Sequence, residues 1–307
     1  MTTAFLTHPV FLQHDMGSHH PERPARLEAI HQLLRERGLL SRVQAHEAPR
    51  VERAALLRVH QAAYLDRLAA LAPREGFAFI DPDTAMNPYT LEAAERAAGA
   101  AVRATELVLR GEADNAFCCV RPPGHHAEAG AAMGFCFYNN IACAAAHALV
   151  AHGLQRVAIL DFDVHHGNGT EDIFRDDPRV LFCSSFQYPF YPNTPIDHGH
   201  SRIVSVPLSA GTRGMDFREA VGSTWFPALA RFAPEMIFVS AGFDAHQDDP
   251  MADLLLNERD YAWITEEIIR FADAHCSGRL VSSLEGGYHL TALARAVAAH
   301  LDCLLAG

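Results

Sequence analysis

The residues best equipped for chemistry follow an apolar run, Val157-Ala158-Ile159-Leu160, that reads as a buried strand. It stops in Asp161-Phe162-Asp163-Val164-His165-His166-Gly167-Asn168-Gly169. Side chains alternate along a strand, so Asp161, Asp163 and His165 are expected on one side, with Phe162 and Val164 on the other. Two carboxylates and an imidazole so placed suit a divalent cation taking oxygen and nitrogen ligands. A second apolar run, Met236 to Ala241, ends in Gly242-Phe243-Asp244-Ala245-His246. Asp244 would complete a set of three ligands with one coordination position open, the arrangement of catalytic rather than structural metal sites. Taken alone, Asp244 is equally suited to capping the turn that follows it.

Two further strand ends carry reactive groups. His125-His126 follows Pro122-Pro123-Gly124, a stiff turn, and adjacent imidazoles can divide base and acid work if each has a partner that sets its tautomer. Asp161 and Asn168 are candidates, one anionic and one neutral, which would push the two proton affinities apart. Ser283-Leu284-Glu285-Gly286-Gly287-Tyr288 ends another apolar run, and a tyrosine hydroxyl there could donate to an oxyanion as it forms. Phe135, Phe137, Phe190 and Tyr191 suit the core as well as a pocket wall. No Gly-x-Ser-x-Gly, phosphate-binding loop or dinucleotide fingerprint points to other chemistry.

These groups must be positioned by a regular frame. Apolar strand-like runs at 5–7, 43–45, 115–120, 157–160, 180–186, 203–208, 236–241 and 280–284 alternate with helical stretches at 25–37, 91–109, 140–151, 216–232, 258–274 and 290–305. A helical stretch is also expected from Glu52 through His60, Tyr64 and Leu68, and residues 77–90 read as a loop. The alternation predicts an α/β fold: one domain over 1–307 with a mainly parallel sheet of about eight strands and helices on both faces. Ligand chemistry in such sheets gathers beyond the carboxyl ends of the strands. Net charge is −12 at pH 7, which argues against direct binding of nucleic acid and favours cationic ligands. The seven cysteines show no Cys-x-x-Cys spacing and are expected as free thiols in a reducing cytoplasm. Neither a signal peptide nor a membrane span is visible.

Read together, the motif segments resemble the zinc-dependent histone deacetylase family, which includes bacterial acetylpolyamine amidohydrolases. The matching segments are Ser18-His19-His20-Pro21-Glu22-Arg23-Pro24-Ala25-Arg26-Leu27, Arg121-Pro122-Pro123-Gly124-His125-His126-Ala127, Gly134-Phe135-Cys136-Phe137-Tyr138-Asn139-Asn140, Asp161 to Thr170, Ala241-Gly242-Phe243-Asp244-Ala245 and Glu285-Gly286-Gly287-Tyr288. They run in family order through nearly the whole chain, and the Pro-Glu-Arg-Pro and Asn168 forms look like the class II branch. The resemblance implies an arginase/deacetylase-like fold and one Zn2+ held by Asp163, His165 and Asp244. It implies His126 as general base and later acid beside Asn168, His125 as an electrostatic partner oriented by Asp161, and Tyr288 as the oxyanion donor. Phe135 and Tyr191 would wall a tunnel for the acyl-lysine stem, or Phe190 if that loop aligns one residue earlier. Gly134 would accept from the stem amide, Asp83 would hold substrate backbone at the rim, and Arg26 would lie below the metal. Backbone oxygens around Asp161, Asp163 and His165, with Ser184, resemble a structural K+ site.

The implied reaction is removal of an acyl group from the side-chain amine of acyl-lysine in peptides or proteins. An acetylated polyamine is the alternative substrate, although Met251 stands where the polyamine-specific branch uses an acid, and the loop 11–24 is short. A binuclear manganese hydrolase and an acyl-lysine binder without turnover are further readings. The first is disfavoured by a single visible ligand triad, the second by the presence of every catalytic group. Oligomeric assembly is compatible with the sequence.

Overall fold

The computed structural model describes residues 1–197 and 199–307. In chain order its strands are β1 (Thr3–Thr7), β2 (Gln44–Glu47), β3 (Ala78–Phe79), β4 (Ala85–Met86), β5 (Asn115–Cys118), β6 (Val157–Asp161), β7 (Val180–Gln187), β8 (Ile203–Leu208), β9 (Ile237–Ala241) and β10 (Leu280–Leu284). The α-helices are α1 (Ala25–Glu36), α2 (Arg53–Leu56), α3 (Ala62–Leu71), α4 (Thr90–Leu109), α5 (Asn140–Ala151), α6 (Asn168–Phe174), α7 (Gly214–Phe232), α8 (Glu258–His275) and α9 (Leu290–Ala306). Eight strands form one sheet in the order β2-β1-β5-β10-β9-β6-β7-β8, and every pairing in it is parallel. Every residue of β5, β6, β9 and β10 is buried, which explains why these strands read as unbroken apolar runs instead of alternating ones. Two groups of helices cover the sheet: α1, α9, α8 and α7 pack in succession, and α4 packs on α5.

The strand order matters more than the strand count. The sheet places β10 and β9, from late in the chain, between β5 and β6. The register sets Cys118, Ser283, Ser240, Asp161 and Ser184 in one row across five strands. Because the strands are parallel, the loops after them leave the same edge at the same height. Helix caps hold the returning chain: Asn139 Oδ1 accepts from Ala142 N at 3.0 Å, and Asn257 and Asp260 form a reciprocal capping box on α8.

Four local expectations are corrected. Strand β6 stops at Asp161, so Asp163 and His165 stand on a loop and converge through backbone hydrogen bonds, not strand alternation. His60 lies between α2 and α3, where its ring bonds the Glu128 carbonyl and the Asn139 N–H. Within 77–90, β3 and β4 pair as a short antiparallel ribbon. Helix α6, immediately after the His-His-Gly turn, is absent from the periodicity because its seven residues span barely two turns.

Candidate active site

Asp163, His165 and Asp244 each offer a ligand atom, and these atoms lie within 4.8 Å of one another, all three residues being buried. His165 Nδ1 is 3.1 Å from Asp163 Oδ1 and 3.2 Å from Asp244 Oδ2. Backbone donors hold the remaining oxygens. His165 N and Gly286 N donate to Asp163 at 2.9 and 2.8 Å, and Val164 N donates to Asp244 Oδ1 at 2.9 Å. That last bond is a cap of a kind, but it leaves Asp244 Oδ2 buried with only the His165 ring near it, at 3.2 Å. Burial and the neighbouring Asp163 carboxylate push Asp244 up to about 7. Two carboxylates in contact at low dielectric need a proton or a cation between them, so the donor set fits a divalent metal ion.

Gly286 is what lets the backbone come this close. A Cβ there would lie 2.1 Å from Asp244 Oδ2 and 2.5 Å from Asp163 Oδ2. A second trio, Glu106, His147 and His152, lies nearer the surface. There Arg58 donates to His147 Nδ1 at 2.7 Å, so the ring's other nitrogen carries the proton and offers no lone pair.

The loop after β5 brings the paired imidazoles beside this triad. His126 Nδ1 is 2.7 Å from Asn168 Oδ1, and Asn168 Nδ2 donates to Glu128 Oε1 at 2.9 Å. The second bond fixes the amide's orientation, so Nδ1–H of His126 is the donor and Nε2 keeps a free lone pair. Burial, then the neighbouring His125 and His165, hold His126 well below the ordinary imidazole range. His125 Nδ1 meets Asp161 Oδ2 at 2.9 Å. Burial lowers its proton affinity, but the Asp161 and Asp163 carboxylates outweigh that and raise it well above the ordinary value. The ring centroids are 4.0 Å apart, with proton affinities driven in opposite directions. Ser184, across from Asp161 in the sheet, bonds His166 Nδ1 at 3.1 Å.

A cavity of about 200 Å³ opens onto these groups, lined by Asp83, His126, Gly134, Phe135, His165, Phe190, Tyr191, Met251 and Tyr288. Both residues of the 190–191 alternative therefore line it. Phe190 stacks on His165 at 5.4 Å, and the Tyr191 ring stands edge-on to His126 at 5.2 Å. Phe137 is in the core instead. Phe135 faces Tyr288 at 6.0 Å and has a left-handed backbone with φ of 68°. Its N–H donates to Thr84 Oγ1 at 3.2 Å. Gly134, also left-handed, lies against His126: a Cβ would fall 2.4 Å from His126 Cδ2. Asp83 is exposed at the mouth, where its carbonyl meets His20 Nε2 at 2.9 Å. Burial, then the Asp244 charge among its neighbours, keeps the Tyr288 phenol protonated. Arg26 is buried beneath the turn, donating to Gly287 O and Glu285 O, with its guanidinium 5.0 Å from the Tyr288 ring.

The sequence assigns no role to four residues that support this geometry: Glu128 behind Asn168, Thr84 behind Phe135, Asp249 and Glu285. Asp249 accepts from the backbone N–H groups of Tyr288, His289 and Met251, tying the turn that carries Tyr288 to the segment that carries Met251. Supporting groups whose partners lie far along the chain have no sequence signature beyond their type.

The geometry has counterparts in known proteins. The sequence profile of the histone deacetylase domain matches residues 20–304. A histone deacetylase-like amidohydrolase of Pseudomonas aeruginosa is 40% identical over 292 residues, covering 92% of this chain and 77% of that protein. A probable deacetylase of Archaeoglobus fulgidus is 38% identical over 296 residues, covering 94% and 82%. The crystal structure of the HDA15 HD domain superposes with a TM-score of 0.93 at 33% identity, covering 99% of this chain and 88% of the other. Family match, identity and superposition extend over the strand ends that carry the Asp-His-Asp triad, so this chain belongs to the histone deacetylase family and is a hydrolase of that family, a deacetylase.

Proposed function

We propose that residues 1–307 act as one catalytic domain that removes acetyl or other acyl groups from the side-chain amine of acyl-lysine in peptides or proteins. The observation that carries this reading is the lining of the cavity: the aromatic rings of Phe135, Phe190 and Tyr191 pack against Tyr288, His165 and His126, respectively. Such walls suit an unbranched methylene stem that delivers an amide to polar groups at the bottom. Zn2+ held by Asp163, His165 and Asp244 supplies, when bound, a Lewis acid for the carbonyl oxygen and for water.

His126 Nε2 accepts the proton of the attacking water and later delivers it to the leaving amine nitrogen. Asn168 Oδ1 keeps the base in the required tautomer. The Tyr288 hydroxyl donates to the carbonyl oxygen as charge develops on it. His125, held by Asp161, keeps a positive charge beside the base and opposes premature protonation of His126. The C–N bond breaks, and once the product acid's own proton has also passed to the amine the products are a carboxylate and an ammonium. Gly134 O at the cavity wall receives the stem amide N–H, and Asp83 at the mouth receives substrate backbone N–H groups. A K+ beside the Asp161 and Ser184 strand ends belongs to the same proposal.

An acetylated polyamine is the second reading, favoured by the rim acid Asp83 and the net charge of −12. Met251 at the mouth supports the first, since an apolar side chain offers no counter-charge to a remote ammonium. Comparing kcat/KM of the zinc-loaded enzyme on acetyl-lysine peptides and on acetylspermidine decides between them. We expect the peptide to be preferred by at least about tenfold, some 1.4 kcal/mol in the transition state. A polyamine preference of that size would overturn the assignment. Metal analysis is expected to give one ion per chain, and a count near two would favour a binuclear hydrolase. The seven cysteines are free, which supports a reducing, cytoplasmic setting. Among the described residues no helix is long and apolar enough to cross a membrane.

A further inference from the structure

Glu285 is fully buried at the end of β10, three residues before Tyr288. Its Oε2 accepts from Gly124 N at 2.6 Å and from His125 N at 3.2 Å. Its Oε1 meets Ser240 Oγ on β9 at 3.1 Å. Pro122 and Pro123 have no N–H, so between Arg121 and His126 only Gly124 and His125 carry backbone donors. Both of those donors go to this one carboxyl. Arg26 binds the Glu285 backbone carbonyl and not its side chain; the charge that bears on the carboxyl is that of the neighbouring His125.

We propose that Glu285 is a positioning residue, a strap that fixes the loop carrying His125 and His126 against the turn carrying Tyr288, and that it acts by reach and hydrogen bonding and not by charge. The inference rests on the roles of His126 and Tyr288 proposed above. Burial pushes the carboxyl up to about 7. In its neutral form it still makes all three bonds, with the carbonyl oxygen accepting two N–H groups and the O–H donating to Ser240 Oγ. A glutamine reproduces that pattern, its amide oxygen taking the two N–H groups and its NH2 donating to Ser240. An aspartate keeps the charge but withdraws the acceptor by one methylene, and buried N–H groups left without partners let the loop move.

The test compares Glu285→Gln and Glu285→Asp in the zinc-loaded enzyme, reading kcat and KM on an acetyl-lysine peptide and amide hydrogen exchange at Gly124 and His125. Glu285→Gln is expected to keep kcat within about threefold. In Glu285→Asp kcat is expected to fall roughly 10- to 100-fold at nearly constant KM, the usual cost of a small displacement of a reacting group. The two amides should then exchange about tenfold faster, as a locally loosened segment does. A lower melting temperature with unchanged kcat in Glu285→Asp would mean a purely structural role and overturn the proposal. A Glu285→Gln loss as large as that of Glu285→Asp would overturn it in favour of charge, and this arm decides alone if the aspartate variant does not fold. If the wild-type chain releases no acyl group from any substrate, the proposed function fails instead. The exchange measurement still judges the strap, and unchanged exchange in Glu285→Asp would remove it.

Discussion

At the scale of single residues, the site separates similar groups by environment. His125 and His126 are neighbours in sequence and 4.0 Å apart as rings, yet one faces the anion Asp161 and the other the neutral amide of Asn168. Opposite partners drive their proton affinities in opposite directions, as the proposed division into a base and a charged neighbour requires. Tyr288 keeps its proton because burial and nearby carboxylates oppose ionisation. Removing that hydroxyl in Tyr288→Phe is expected to lower kcat by roughly 10²–10³, the usual cost of an oxyanion donor, with metal content and melting temperature retained. Turnover equal to wild type in a metal-loaded Tyr288→Phe enzyme would take Tyr288 out of the mechanism.

At the scale of elements, the site belongs to four consecutive strand ends. The loops after β5, β10, β9 and β6 carry the imidazole pair, the tyrosine turn, Asp244, and Asp163 with His165, respectively. The tyrosine turn passes so close to the triad that only a residue without a side chain fits at 286. In Gly286→Ala the backbone conformation is permitted, but the added methyl group runs into both carboxylates. The variant is expected to lose about 1–3 kcal/mol of stability, as overpacked sites do, and to bind less metal. Unfolding curves and metal analysis check this, and full metal occupancy with an unchanged melt would show that the turn can give way.

At the scale of the whole molecule, two buried imidazoles away from the cavity contribute to acid sensitivity. Burial lowers His60 to about 4 and His300 to about 3. His60 bonds backbone groups, and His300 bridges the Thr265 and Ser282 hydroxyls. In the unfolded chain both titrate near 6.5, so below that pH the unfolded state binds more protons than the native one. Their contribution is fully present above about pH 6.5 and is lost as pH falls through 4 towards 3. The combined loss is on the order of 5–8 kcal/mol, comparable with the whole stability of many domains. Urea midpoints are expected to fall steeply between pH 6.5 and 4, and less steeply in His60→Gln. A midpoint independent of pH over that range would exclude these rings as the titrating groups.

Much of the site was legible in the residues themselves. Carboxylates and imidazoles do not extend buried apolar strands without a reason, so Asp163, His165, His125 and His126 stood out beyond strand ends, whereas Asp244 and Tyr288 gained weight only with the family resemblance. The α/β alternation was equally plain, because strands buried on both faces must be apolar throughout. The sequence could not say which strand ends are neighbours, since insertion of β9 and β10 between β5 and β6 is a matter of sheet order and not of local propensity. Nor could it decide between Phe190 and Tyr191, or between capping and ligation by Asp244. Those outcomes depend on which groups meet across loops distant in the chain, as Val164 N and Asp244 Oδ1 do. Spacing along the chain determined the chemistry this protein carries. Where that chemistry converges was decided by the packing of the sheet, because a parallel edge is the one place where distant loops must share the same few ångströms.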